Sequence, residues 1–163
     1  MFIKKDLNAD VPSFYEDICL QLDALMDDAP TMVSQLANAS ALLNVYLENI
    51  NWVGFYLKKE NELILGPFQG LPACTRIAIG KGVCGTAAQQ LTVIRVEDVH
   101  QFPGHIACDG NSESEIVLPI IIKDQLIGVL DIDAPIKKRF TEADEKGLKT
   151  VVEHLSANLK RNA

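Results

Sequence analysis

Residues 115–133 read EIVLPIIIKDQLIGVLDID, two apolar runs separated by Lys123 and Asp124. The runs read as the two strands of a β-hairpin. The second strand ends in Asp131 and Asp133, whose spacing puts both carboxylates on one face while Ile132 takes the other. A three-residue connection would set Ile122 against Leu126 and, in the same register, Glu115 against Asp133. A two-residue turn would send Glu115 to the opposite face. Three carboxylates at one hairpin end repel unless a cation sits among them or one of them keeps a proton. A ligand ammonium group meets that need; a solvated strand end is the plain alternative.

Downstream, Thr141 and Asp144 fit an N-cap with acids in the first turn of a closing helix, TEADEKGLKTVVEHLSANLK. Upstream, Phe14, Ile18, Leu22 and Leu25 recur at helical spacing between Pro12 and Asp28, with Cys19 beside the stripe and assigned to the core. Met32, Leu36, Ala39, Leu43 and Tyr46 give a second helix, broken at residues 49–51. WVGFYL (52–57), a KKEN turn and ELILGPF (62–68) read as another hairpin, followed by a short strand at TRIAI. GKGVCGTAAQQ opens a short helix, TVIRVED is a strand, and a long loop runs from Asp98 to Ser114. The GKG is no phosphate-binding loop, because Thr75 stands where that motif needs glycine and Gly82 follows Lys81. This order predicts an α+β domain, an antiparallel sheet with helices on one side or at its ends.

With 163 residues, 48% of them hydrophobic, the chain suits one domain over 1–163, leading helices at about 12–48 and a core at about 52–160. A net charge of −7 argues against nucleic acid and anionic membranes. The start, MFIKKDLNADVPSFYED, turns acidic too soon for a signal peptide, and the run IVLPIII is too short to cross a bilayer. A cytoplasmic protein is expected. In that reducing compartment, pairing among Cys19, Cys74, Cys84 and Cys108 should be transient, catalytic or regulatory. An exposed face on the leading helices would suit a homodimer.

Cys74 in LPACTRI, Cys84 in GKGVCG and Cys108 in GHIACDG share a loop-like setting of glycine, proline and polar residues. Their spacings of ten and twenty-four residues lack the tight pairs of structural zinc sites, although His100 and His105 lie nearby. A glycine turn opening a helix would favour a thiolate at Cys84, and His105 would do the same for Cys108; hydrogen-bonded loop histidines are the alternative. Trp52, the only tryptophan, walls a pocket or fills the core.

Taken in order, NWVGFY, LGPFQG, PACTRIAIGKGVCGTAA, VEDVHQFPGHIACDGNSESEIVLPI, LIGVLDIDAP and RFTEADEKGL resemble the free methionine-(R)-sulfoxide reductases, enzymes built on a single GAF domain. The resemblance runs from about Trp52 to Leu148. It implies a GAF-like fold, Cys108 as nucleophile, and Cys84 and Cys74 as recycling cysteines in an order the match leaves open. It further implies a pocket formed by Glu115, Asp131, Asp133 and Trp52, thioredoxin as reductant, and no metal or organic cofactor. Cys19 takes no role. Joined to the residue chemistry, it predicts attack of the Cys108 thiolate on the sulfoxide sulfur, a proton from Glu115, and a sulfenic acid that a second cysteine condenses into a disulfide. The rivals are a GAF-type small-molecule or redox sensor, which would need an output domain or sustained heptads, and a zinc hydrolase or deaminase using His100 and His105. The deaminase signature H-x-E with P-C-x-x-C is absent.

Overall fold

The 115–133 hairpin forms the centre of one side of a six-stranded antiparallel sheet in the computed structural model, which describes residues 1–7 and 9–160. In chain order the elements are α1 (Val11–Asp28), α2 (Met32–Tyr46), β1 (Trp52–Lys59), β2 (Glu62–Gly70), β3 (Arg76–Ala78), α3 (Gly82–Gln90), β4 (Ile94–Val96), β5 (Ser114–Ile122), β6 (Gln125–Ala134) and α4 (Glu142–Asn158). A single 3₁₀ turn, Val99–Gln101, interrupts the long loop before β5. The strand order is β3-β2-β1-β6-β5-β4, so β6 closes beside β1 and carries its acids to the middle of the sheet.

Alternation gives the sheet two buried faces. Val53, Phe55, Ile116, Leu118, Leu130 and Ile132 point to one core, built with α1, α2 and α4. Trp52, Tyr56, Val117 and Val129 point to a second, smaller core closed by Val83, Cys84, Ala87 and Ala88 of α3. The expected placement of helices on one side or at the ends is therefore corrected: three helices cover one face and α3 covers the other. Cys19 lies in the first core at 2% exposure, and burial foremost pushes its thiol up to about 11.

The helical layer is tied by buried polar groups whose partners are all present. Gln35, fully buried between helices, donates to the carbonyls of Met26 (3.1 Å) and Asn158 (3.0 Å) and accepts from the Lys160 amide (2.7 Å). That one side chain links the ends of α1 and α4 to α2, and leaving such groups unpaired would cost about 1–3 kcal/mol each. α4 starts at the expected N-cap, which the structure completes as a capping box, Thr141 accepting from the Asp144 amide while Asp144 accepts from the Thr141 amide. Asp144 also accepts from the Tyr15 hydroxyl at 2.8 Å, which pins α1 to α4. Gly147 makes that contact possible, since a Cβ there would run into the Tyr15 ring.

The register of the 115–133 hairpin is reached by a different route from the three-residue connection. The turn is two residues, Lys123 and Asp124, both at positive φ (51° and 61°), with Ile122 paired to Gln125. A bulge between Ile120 and Ile121 then leaves Ile127 unpaired, and the shift restores Glu115 opposite Asp133. One extra residue reverses the facing of everything beyond it. The first hairpin is also tighter than the KKEN turn suggested, with Lys59 paired to Glu62.

Candidate active site

β1, β5 and β6 each contribute side chains to the α3-covered face at the same end of the sheet. Trp52 pairs with Asp133, Glu115 with Asp133, and Gly54 and Val117 with Asp131. The resulting pocket is lined by Trp52, Cys84, Cys108, Glu115, Asp131 and Asp133, together with Tyr56, His105, Asp109 and Ser112. α3 approaches because position 85 is glycine: a Cβ there would strike the Ala78 carbonyl oxygen.

Two loops bring the sulfur atoms to this pocket. Cys74 and Cys108 are joined in a disulfide, their Cα atoms 5.5 Å apart. The loop bearing Cys74 is held by the aromatics of β1: the Trp52 indole donates to the Leu71 carbonyl (3.1 Å) and the Tyr56 hydroxyl to the Cys74 carbonyl (2.9 Å). Trp52 in turn stacks on Phe68 and Tyr56, at ring separations of 5.2 and 5.9 Å. The loop bearing Cys108 is held by Asn51, which donates to Asp109 (2.9 Å) and Ser112 (3.1 Å).

Cys84 does not occupy a loop. It sits within α3, 4% exposed, as a free thiol that donates to Glu115 Oε1 at 3.9 Å. Its Sγ and one carboxylate oxygen each of Glu115 and Asp131 lie within 4.8 Å of one another. Thiolate stabilisation by the helix start is thus overturned: burial first, then the carboxylates of Asp131, Glu115 and Asp133, hold its pKa well above that of an ordinary thiol. All three carboxyls are likewise raised well above the usual carboxylate range, chiefly by burial and then by one another's charge. Burial and mutual repulsion both favour their protonated forms. Asp131 Oδ1 is buried with no hydrogen-bond partner, an arrangement that native proteins seldom leave.

The two histidines separate. His105 directs Nε2 to Glu115 Oε2 at 3.5 Å, and burial lowers its pKa; its expected help to the Cys108 thiol is replaced by this contact with a carboxyl. His100 faces Glu113 at 3.4 Å beside Asp98, outside the pocket. Trp52 satisfies both readings, being 2% exposed and part of the pocket wall. Tyr56, Asn51, Asp109 and Ser112 were not singled out from the sequence. Tyr56 was within reach, since it lies four residues beyond Trp52 and alternation puts both on one face.

A family model described as GAF domain matches residues 21–159. The free methionine-R-sulfoxide reductase of Escherichia coli (strain K12) is 54% identical over 142 residues, 87% of this chain and 86% of the relative. Among solved structures, fRMsr of Staphylococcus aureus in complex with substrate shares 52% identity at a TM-score of 0.85, covering 96% of this chain and 100% of that one. The free methionine-R-sulfoxide reductase of Neisseria meningitidis in complex with its substrate shares 38% at 0.91, covering 97% and 95%. The chain belongs to the GAF domain family and, within it, to the free methionine-R-sulfoxide reductases.

Proposed function

We propose that this protein reduces free L-methionine-(R)-sulfoxide to L-methionine through Cys108, in the cytoplasm, with thioredoxin as reductant. The observation that carries the reading is the meeting, at one pocket, of the Cys74–Cys108 disulfide and three carboxyls, of which Glu115 and Asp131 are buried and Asp131 has an orphaned oxygen. The reduced Cys108 thiolate attacks the sulfoxide sulfur. Glu115, kept protonated by burial, donates to the sulfoxide oxygen as charge develops there. Methionine leaves, and the oxygen stays on Cys108 as a sulfenic acid.

Cys74 condenses with that sulfenic acid, releasing water and forming the disulfide. A thioredoxin dithiol then reopens it by exchange, so sulfoxide and dithiol become thioether, disulfide and water without a metal or organic cofactor. The disulfide supports Cys74 as the first resolving thiol, with the buried Cys84 left as a later exchange partner.

Asp131 and Asp133 hold the substrate α-ammonium. A peptide nitrogen, being a neutral amide, offers no such charge, which accounts for a preference for the free amino acid. Trp52 supplies an apolar wall for the thioether chain. Leu20 and Val33, exposed on α1 and α2, support a homodimer through the leading helices.

The reading is tested by adding one equivalent of free methionine-(R)-sulfoxide to reduced protein, blocking thiols with an alkylator and mapping the peptides. The expected product is methionine with a Cys74–Cys108 disulfide, Cys19 remaining free. Unchanged sulfoxide and four alkylated cysteines would refute it.

A further inference from the structure

We infer that the floor of this pocket binds a zinc ion in the disulfide state, with Cys84, Glu115 and Asp131 as donors and a solvent water as the fourth. Cys84 Sγ and the two carboxylate oxygens lie within 4.8 Å of one another, and all three residues are at least nine-tenths buried. His105 Nε2 stands 3.5 Å from Glu115 Oε2. A thiol and two carboxylates form a sulfur and oxygen set that zinc accepts, with water in the fourth position. Magnesium and calcium favour all-oxygen sites, so the cysteine selects against them.

Two further observations point to a ligand of this kind. Asp131 Oδ1 is buried without a partner, an acceptor whose need a cation would meet. The pocket's free volume of about 30 Å³ is enough to admit an ion or a water. Lys81 is the only lysine or arginine among the described lining residues, and it is exposed at the rim, so no fixed cation within the cluster competes.

Binding involves no electron transfer. The Cys84 S–H bond breaks, its proton and those carried by the Glu115 and Asp131 carboxyls pass to solvent, and the sulfur becomes a metal-bound thiolate beside two carboxylates. Zinc held in this way keeps Cys84 from exchanging with the disulfide. It also fills the place of a substrate ammonium, a consequence that rests on the function proposed above, whereas the binding does not.

The test uses the oxidised chain, because Cys84 and Cys19 are then the only free thiols among the described residues and Cys19 lies in the other core. Cobalt(II) alone is titrated first, followed by displacement with zinc chloride and calorimetry. One equivalent should bind and produce a thiolate-to-cobalt charge-transfer band, which zinc removes. Cys84→Ser should abolish the band and weaken zinc binding at least about 100-fold, the upper end of what losing a mere outer partner costs. Asp131→Asn should weaken binding while keeping the band. His100→Ala should change nothing, because the exposed group of Asp98, His100 and Glu113 already pairs Asp98 with Lys137. The proposal is overturned by failure to bind, by binding indifferent to Cys84→Ser and Asp131→Asn, or by binding lost in His100→Ala. Any of these leaves metal-free sulfoxide turnover untouched, so the two claims fail separately.

Discussion

Asp131→Asn should make the unliganded protein more stable and less active. Asp131 is 6% exposed, has an oxygen without a partner, and shares its burial with Glu115 beside the half-buried Asp133. An ionised Asp131–Glu115 pair 4.8 Å apart would repel by about 3.5 kcal/mol at an effective dielectric of 20, which sets the scale of what the substitution can relieve. Because the cluster keeps protons and so avoids part of this repulsion, the expected gain is about 1–3 kcal/mol, or a melting temperature roughly 2–10 °C higher for a chain of this size. The pH dependence has a defined sign. Carboxyls whose folded pKa is raised favour the fold fully below the unfolded value, near 4, and lose that contribution as pH climbs toward the folded value. Wild-type stability should therefore fall as pH rises from about 4 through neutrality, and the variant's curve should be flatter. Loss of a charge-assisted bond to the substrate ammonium, about 1.5–3 kcal/mol, should lower kcat/KM roughly 10- to 150-fold. Thermal melts from pH 4.5 to 8, beside steady-state kinetics, check both halves. A variant that melts at or below wild type throughout and keeps full activity would refute the reasoning.

Cys74→Ser should still release about one methionine per protein in a single-turnover assay and then stall with Cys108 as a trappable sulfenic acid, whereas Cys108→Ser should release none. Trp52→Ala removes the stacked indole and its bond to Leu71, so it should destabilise by about 3–5 kcal/mol in urea melts, and Trp52→Phe by clearly less. Gly147→Ala forces a methyl group against the Tyr15 ring and should cost about 1–3 kcal/mol without changing KM. In reduced native protein, alkylation of Cys84 should lag far behind that of Cys108 and catch up only on unfolding, as mass spectrometry of timed samples would report.

Much of the layout was legible because it depends on neighbours in sequence. Apolar runs on either side of Lys123 and Asp124 located β5 and β6, helical spacing located α1 and α2, and Thr141 with Asp144 marked the last helix start. The facing of Glu115 illustrates the limit. Sequence reasoning tied it to the length of the connection, and the structure reaches the same register with a shorter turn and a bulge at Ile127, a choice made by strand twist and packing that no local pattern encodes. Cys84 was read as loop-like from its glycine flanks. Its burial arises from α3 settling on β5 and β6, a contact between distant segments. Asn51 escaped notice for the same reason, since its partners Asp109 and Ser112 lie 58 and 61 residues away. The ionisation of the pocket was anticipated in kind, by three carboxyls in one place, but its degree follows from burial that only the folded chain provides.

The central claim is tested most directly by NADPH oxidation coupled through thioredoxin and its reductase, with free methionine-(R)-sulfoxide, its S epimer and N-acetylmethionine sulfoxide assayed in parallel. The account predicts turnover of the free R epimer alone, abolished by Cys108→Ser. Equal turnover of the N-acetylated compound, or none of any substrate by protein whose thiols are shown to be reduced, would contradict it.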